Sequence, residues 1–374
     1  MPDRVMIAGG GTGGHIFPAI SIAEELKSRD ASMQILFVGA RGGMEMSLVP
    51  KAGFDIVGVW ISGISRSLSV RNIFRNLMFP IKLIFSLLQA KSWIRKFRPD
   101  VVIGVGGYAS GPVGRRAASA GIPLLICEQN AYPGITNKWL APKADAVLLG
   151  NADAAKYFKH HNVIVTGNPV RRKLLEGNRE AGLLAWKFDS SRPVVLSLGG
   201  SLGAGRLNEA LESGLEQFRN AGIQIAWQCG KRYYEEIAGR VNMYPGLSLL
   251  PFIDNMGDAY AAADLIITRA GASTISELIL LEKPAILIPS PNVAEDHQTK
   301  NAKSLAGRGA AIILPDAGAK EKLAAIVIEL VTSNEKLTAM KKAVSSLEKH
   351  DAAKEIADQV MKLLILKKGK AASS

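Results

Sequence analysis

His15 is the first side chain in this sequence that could move a proton, and its place is unusual. It closes the run Gly9-Gly10-Gly11-Thr12-Gly13-Gly14-His15, directly after the short apolar stretch Val5 to Ala8. An unperturbed imidazole titrates near about 6.5, so it can take or give a proton at neutral pH. The glycines match G-x-G-x-x-G at Gly9, Gly11 and Gly14. Such a turn lets backbone amides approach a ligand, and the helix start that follows favours an anion. A nicotinamide site also requires an acid after the second strand, roughly 20 residues on. Here the second strand-like run leads into Gly39-Ala40-Arg41 with no acid. Arg41 could hold a 2′-phosphate, which keeps an NADP-dependent oxidoreductase as an alternative.

Other candidates follow the same pattern of apolar run, glycine turn and helix start. Gly104-Val105-Gly106-Gly107-Tyr108-Ala109-Ser110-Gly111 is a second glycine-rich turn in the first half. Two such turns at the ends of neighbouring strands could hold a pyrophosphate together. Gly199-Gly200-Ser201-Leu202-Gly203 repeats the G-G-[ST]-x-G of Gly10 to Gly14 at the start of the second half. The densest stretch is Thr268-Arg269-Ala270-Gly271-Ala272-Ser273-Thr274-Ile275-Ser276-Glu277. Thr274 and Glu277 have capping-box spacing, which by itself needs no ligand. A free helix start at the carboxyl end of a strand is nevertheless where open α/β sheets bind ligands. Asp296-His297-Gln298 opens the next helix. No Asp-x-Asp triplet occurs, so a metal-chelating diphosphate site of that type is absent. Charge on a leaving diphosphate must then be met by amides, helix ends and cations such as Arg171, with no metal and no cofactor called for.

The elements that must position these residues are legible as an alternation. "RVMIAG", "QILFVG", "DIVGVWI", "DVVIGVG", "PLLICEQ" and "AVLLG" are short runs apolar on both faces, most of them separated by helical stretches. That is the mark of parallel strands covered on each side by helices. The rhythm restarts near residue 190 with "PVVLSLGG", "IQIAWQCG", "LSLLPF", "LIITRAG", "PAILIPS" and "AAIILP". The reading is an α/β chain of two doubly wound halves, joined near "VTGNPVRRKLLEGNREAG". The 374 residues are too many for one ordinary core. Two cysteines, Cys127 and Cys229, lie in apolar runs without metal-ligand spacing and read as buried thiols. No secretory signal is recognisable, and a cytoplasmic location is expected. "DAAKEIADQVMKLLILKK" reads as a last amphipathic helix, followed by a disordered tail "GKAASS".

The net charge of +13 suits nucleic acid, anionic lipid or phosphorylated substrates. Where the charge sits decides among them. Segment 71–99 interleaves Arg71, Arg75, Lys82, Lys91, Arg95, Lys96 and Arg98 with Phe74, Leu77, Met78, Phe79, Ile81, Leu83, Ile84 and Phe85. Its apolar run is interrupted and too short for the roughly 20 residues of a membrane span. A basic, apolar surface lying on anionic lipid fits it. An ordinary crossover helix with one face in the core is the other reading.

"GGGTGGHIFPA", "GVGGYASGP", "EQNAYPGITNKWLA", "TGNPVR", "GGSLGA", "FIDNM" and "TRAGASTISE" occur in this order. Together they resemble the undecaprenyldiphospho-muramoylpentapeptide β-N-acetylglucosaminyltransferases, the lipid II-forming family, from the first strand to about residue 315. The resemblance implies a GT-B fold: two Rossmann-like doubly wound domains facing a deep cleft, 1–165 for acceptor and membrane with a returning C-terminal helix at about 350–366, and 166–349 for the donor. It implies inverting transfer of N-acetylglucosamine from UDP-GlcNAc to the 4-hydroxyl of the muramoyl sugar of lipid I. Donor positions matched are Thr12, Gly13, Gly14, Asn130, Arg171, Ser201, Ile253, Ala272, Ser273, Thr274, Ile275, Ser276, Glu277 and Gln298. Glu277 would bond the ribose hydroxyls and Ile253 would meet uracil through its backbone. His15, Tyr108 and Glu128 match the acceptor-pyrophosphate and catalytic region, with His15 and Glu128 rival bases and the opening turn on a diphosphate. Leu202 stands where the family usually has glutamine, and His297 replaces the first of a paired glutamine. The implied partners are UDP-GlcNAc, lipid I, an anionic phospholipid surface at the cytoplasmic face of the membrane, and cell-wall synthesis and division proteins, with no nucleic acid.

Overall fold

The structure is a computed structural model that describes residues 2–63, 76–200, 203–291, 293 and 296–372, with side chains to residue 369. It divides into two compact units, one of Met1–Val170 with His350–Ser374 and one of Arg171–Lys349.

The first unit is built on a parallel sheet of seven strands in the order β3-β2-β1-β4-β5-β6-β7. They are β1 Arg4–Ala8, β2 Gln34–Ala40, β3 Asp55–Val59, β4 Val101–Gly104, β5 Leu124–Glu128, β6 Ala146–Leu149 and β7 Val163–Val165. Alternation within each strand feeds two separate cores. Val5 and Ile7 pack with the Gly13–Arg29 helix and with Ile356, Ala357, Val360 and Leu364 of the Ala352–Ala372 helix. Met6 and Ala8 face the opposite core, which takes in Ala90 and Ile94 of the Phe79–Phe97 helix and Val113 and Ala117 of the Ser110–Ser119 helix. Both faces of β1 are therefore dry, as a doubly covered parallel sheet requires.

The second unit repeats the plan with six parallel strands in the order β10-β9-β8-β11-β12-β13. These are β8 Val194–Leu198, β9 Gln224–Gln228, β10 Leu247–Leu250, β11 Leu265–Thr268, β12 Ala285–Leu287 and β13 Ala311–Ile313. In each unit the chain leaves its first strand in one direction and returns through its fourth in the other. The crevice beyond β1 and β4, and that beyond β8 and β11, are the switch points where doubly wound sheets bind ligands.

Two details depart from the sequence reading. Val163–Val165, whose last residue opens the expected connection, is the edge strand β7 paired with β6. The terminal helix runs on to Ala372, past the point at which a disordered tail was expected. Arg98 ends the Phe79–Phe97 helix in the left-handed region (φ 54°) immediately before Pro99, which cannot continue a helix.

Candidate active site

In the first unit the two glycine turns meet at the switch point. Gly107, at φ 80°, lies so close to the opening turn that a Cβ on it would fall 2.3 Å from the Gly10 carbonyl oxygen. Only glycine permits both the backbone angle and the approach. Gly106, at φ 90°, is covered by the His15 ring, whose Nε2 would lie 2.9 Å from a Cβ placed there. His15 is in the first turn of the Gly13–Arg29 helix, with its Nδ1 3.2 Å from Thr12 Oγ1. Thr12 occupies the cap position, but its side chain makes no capping hydrogen bond. The amides at Gly13 and Gly14 begin the helix, where no intrahelical acceptor exists for them.

Glu45 holds this turn from beneath. Its Oε2 accepts from the Gly11 amide and its Oε1 from the Ala40 amide, both at 2.9 Å. An acid therefore does reach the end of β2, contrary to the sequence reading, but it is 2% exposed and spent on backbone. The sequence carried only a weak signal for it, a lone acid just after Gly42-Gly43.

Glu128 ends β5, 2% exposed, and its carboxylate binds the following loop. Oε1 accepts from the Asn130 amide at 2.9 Å and Asn130 Nδ2 at 3.2 Å; Oε2 accepts from the Gly134 amide at 3.0 Å and Asn137 Nδ2 at 2.8 Å. Burial pushes the carboxyl upward, and these four donors pull it back toward the ionised form. Four donors fill the roughly four lone-pair sites of a carboxylate. These bonds tie Asn130, Gly134 and Asn137 to the end of β5. Tyr108 is 48% exposed, its ring stacked on the backbone of Gly63.

In the second unit the Ala272–Leu280 helix starts just past β11. Its cap residue is Gly271, in extended conformation, with no side-chain capping bond. Thr274 and Glu277 are thus not a capping box: Thr274 is the third helical residue, and Glu277 is engaged elsewhere. Tyr260 Oη donates to Glu277 Oε2 at 2.8 Å. Burial pushes the Glu277 carboxyl up, while Tyr260 and the charge of Arg171 act the other way. Ala272, Ser273, Thr274, Ile275 and Ser276 form the turns before Glu277, and Ser273 Oγ is buried with no partner among the described residues. Ile253, 7% exposed, lies just past β10. Gln298 Oε1 accepts from the Ser290 amide at 2.8 Å, fixing the segment after β12. Ser201 and Leu202 lie outside the described residues.

Arg171, Tyr260 and Glu277 are thus brought together in one unit, and Thr12, His15 and the Gly106 turn in the other. Among the described residues no group of three or more His, Cys, Asp or Glu side chains is placed to hold a metal ion.

Two family models match this chain: the glycosyltransferase family 28 N-terminal domain over residues 5–149 and its C-terminal domain over 194–356. The chain belongs to glycosyltransferase family 28. The two halves of the family correspond to the two sheets, and the dinucleotide oxidoreductase reading falls. A UDP-N-acetylglucosamine--N-acetylmuramyl-(pentapeptide) pyrophosphoryl-undecaprenol N-acetylglucosamine transferase of Bacteroides fragilis is 46% identical over 366 residues, covering 96% of this chain and 95% of the relative. A relative of the same name from Flavobacterium psychrophilum is 43% identical over 96% of this chain and 98% of its own. The crystal structure of Acinetobacter baumannii MurG superposes with a TM-score of 0.79 at 31% identity, covering 96% of this chain and 100% of that one. The two parallel-sheet units are those of the GT-B glycosyltransferases. A Listeria monocytogenes structure described as a UDP-N-acetylglucosamine 2-epimerase superposes at 0.65 with 12% identity. The fold alone therefore does not decide the reaction.

Proposed function

We propose that this family 28 glycosyltransferase transfers N-acetylglucosamine from UDP-GlcNAc to the 4-hydroxyl of the muramoyl sugar of undecaprenyl-diphospho-MurNAc-pentapeptide, with inversion. The observation that carries the reading is similarity along 96% of the chain to enzymes named for that transfer. The geometry of each switch point supports it. The uncapped start of the Ala272–Leu280 helix and Arg171 suit a diphosphate, and Glu277 suits two ribose hydroxyls. Ile253 and Gln298 join them in the donor set of the second unit.

The reaction is one displacement. The acceptor O4–H proton passes to His15, the O4–C1 bond forms, and the C1–oxygen bond to UDP breaks from the opposite face. The charge that develops on the departing diphosphate is met by amides and Arg171. His15 is the base in this scheme because its imidazole stands at the helix start, whereas Glu128 is consumed by its loop. Tyr108 offers an exposed phenol beside the same turns.

The acceptor's long polyprenyl chain ties it to a bilayer, so the enzyme must work as a peripheral protein at the cytoplasmic face. No helix among the described residues is long and apolar enough to cross a membrane. The Phe79–Phe97 helix buries Ser86, Ala90 and Ile94 in the core and exposes Ile81, Ile84, Phe85 and Leu88, with Leu77 just ahead of it. Trp60 packs edge-on against Phe85, and Lys82 lies over the Trp60 ring. Exposed Lys91, Arg95 and Lys96 continue along the helix, which supports the lipid-surface reading of its outer face. Arg71, Phe74 and Arg75 lie outside the described residues.

The deciding experiment is transfer of labelled N-acetylglucosamine from UDP-GlcNAc to a lipid I analogue. The expected result is a labelled disaccharide lipid of inverted configuration. Turnover on another lipid acceptor and none on lipid I would sink the reading.

A further inference from the structure

Tyr260 is a full-sized phenol at 1% exposure in the Met256–Ala262 helix. A phenylalanine would fill the same volume, and a buried hydroxyl is tolerated only with a partner. Here the partner is Glu277 Oε2, and among the described residues Oε1 of that carboxylate makes no hydrogen bond. We propose that Tyr260 is a positioning residue for the donor nucleotide: its hydroxyl pins one oxygen of Glu277 and leaves the other to accept from the ribose. The inference rests on Glu277 being the ribose-binding acid.

The pairing is backed by tight packing. Gly177 lies against the helix of Tyr260 so closely that a Cβ on it would fall 2.1 Å from the Gly257 carbonyl oxygen. The short 3₁₀ turn Arg172–Glu176, which Arg171 precedes, is thereby locked onto the Tyr260 helix. Arg171 and Tyr260 act on Glu277 from two elements packed on each other. Burial and the neighbouring carboxylate hold the Tyr260 phenol well above its usual range, so it stays a donor. Donation from Tyr260 and the positive charge of Arg171 both favour the ionised carboxylate that a ribose needs. The other helices packed on Ala272–Leu280 are His297–Ala306 and Asn334–Ser345. The first carries His297; the second carries Lys341, which acts on Lys283.

The test is UDP-GlcNAc binding to the full chain by calorimetry from mildly acid to mildly alkaline pH, a range in which the ligand's diphosphate does not titrate. All variants carry His297→Asn, so that this imidazole cannot supply the signal. With Tyr260 present, affinity falls as pH drops through the raised Glu277 titration. In Tyr260→Phe the carboxyl loses a donor, so affinity is lost about one pH unit higher. At the alkaline end it returns to within about threefold of the parent. An unchanged midpoint would overturn the positioning role. Glu277→Gln separates the two claims: unchanged affinity at every pH removes the ribose reading itself. A loss of about tenfold or more with no remaining pH step upholds that reading, and the inference then stands or falls on Tyr260→Phe alone.

Discussion

The amide of Gly11 donates to Oε2 of Glu45 across 34 residues of sequence, and the same carboxylate takes the amide of Ala40 through its other oxygen. One side chain thus ties the opening turn to the end of the neighbouring strand. Glu45→Gln keeps the shape but leaves only one acceptor oxygen, with an NH2 group facing an amide N–H. The expected cost is about 1–3 kcal/mol, local to this turn. Amide exchange in peptides covering residues 9–15 and 38–45 should accelerate while the second unit keeps its protection. Unaltered exchange in both peptides would refute the tie.

His15 and Glu128 separate by what their loss damages. His15→Ala should reduce kcat by about 10²–10⁴-fold and leave UDP-GlcNAc affinity within a few-fold. Glu128→Gln should instead loosen the 129–137 loop, seen as faster exchange there, with a smaller loss of kcat. The assignment is reversed if Glu128→Gln abolishes turnover with the loop still protected and His15→Ala does not.

The exposed stripe of the Phe79–Phe97 helix predicts a surface property. Replacing Ile81, Ile84 and Phe85 together by serine removes three large apolar side chains from solvent, each worth about 1.5–3 kcal/mol when fully buried. The variant should remain folded and lose cosedimentation with vesicles containing anionic phospholipid. Sedimentation equal to the parent's would make the stripe irrelevant to lipid.

Lys283 gives a pH signature. Its amine donates to the Ala263 carbonyl at 2.9 Å, and burial pushes it down to about 8. From about pH 8 up to the ordinary lysine value of 10.5, the unfolded chain holds a proton that the folded chain has released. Stability of the second unit should therefore rise with pH across that window, by about 1–3 kcal/mol. Lys283→Met should flatten that rise in urea unfolding. An equal slope in both proteins would show that the amine is not displaced.

The sheets were legible because Val5, Met6, Ile7 and Ala8 are all apolar and all buried, a pattern only doubly covered strands require. Val163–Val165 escaped because a three-residue edge strand, half-exposed and followed by Thr166-Gly167-Asn168-Pro169, looks like a turn. Glycine turns marked both switch points, but the acids and phenol that hold them left little trace. Glu45 reaches Gly11, and Tyr260 reaches Glu277, through tertiary folding that spacing does not encode. Capping-box spacing misled for the converse reason: Gly271, three residues before Thr274, already opens the helix.

The Ala352–Ala372 helix supplies Ile356, Ala357, Val360 and Leu364 to the same core as Val5 and Ile7. Everything from Arg171 to Lys349 is translated between those two contributions. On the ribosome the second unit can close as soon as it emerges, because its strands and covering helices are contiguous. The first unit, begun earlier, must keep one flank of its sheet open until the returning helix arrives. Newly made chains should therefore be most vulnerable to proteases and most attractive to chaperones along the flank that carries Leu26 and Val5. The half of the enzyme synthesised first is the half that matures last.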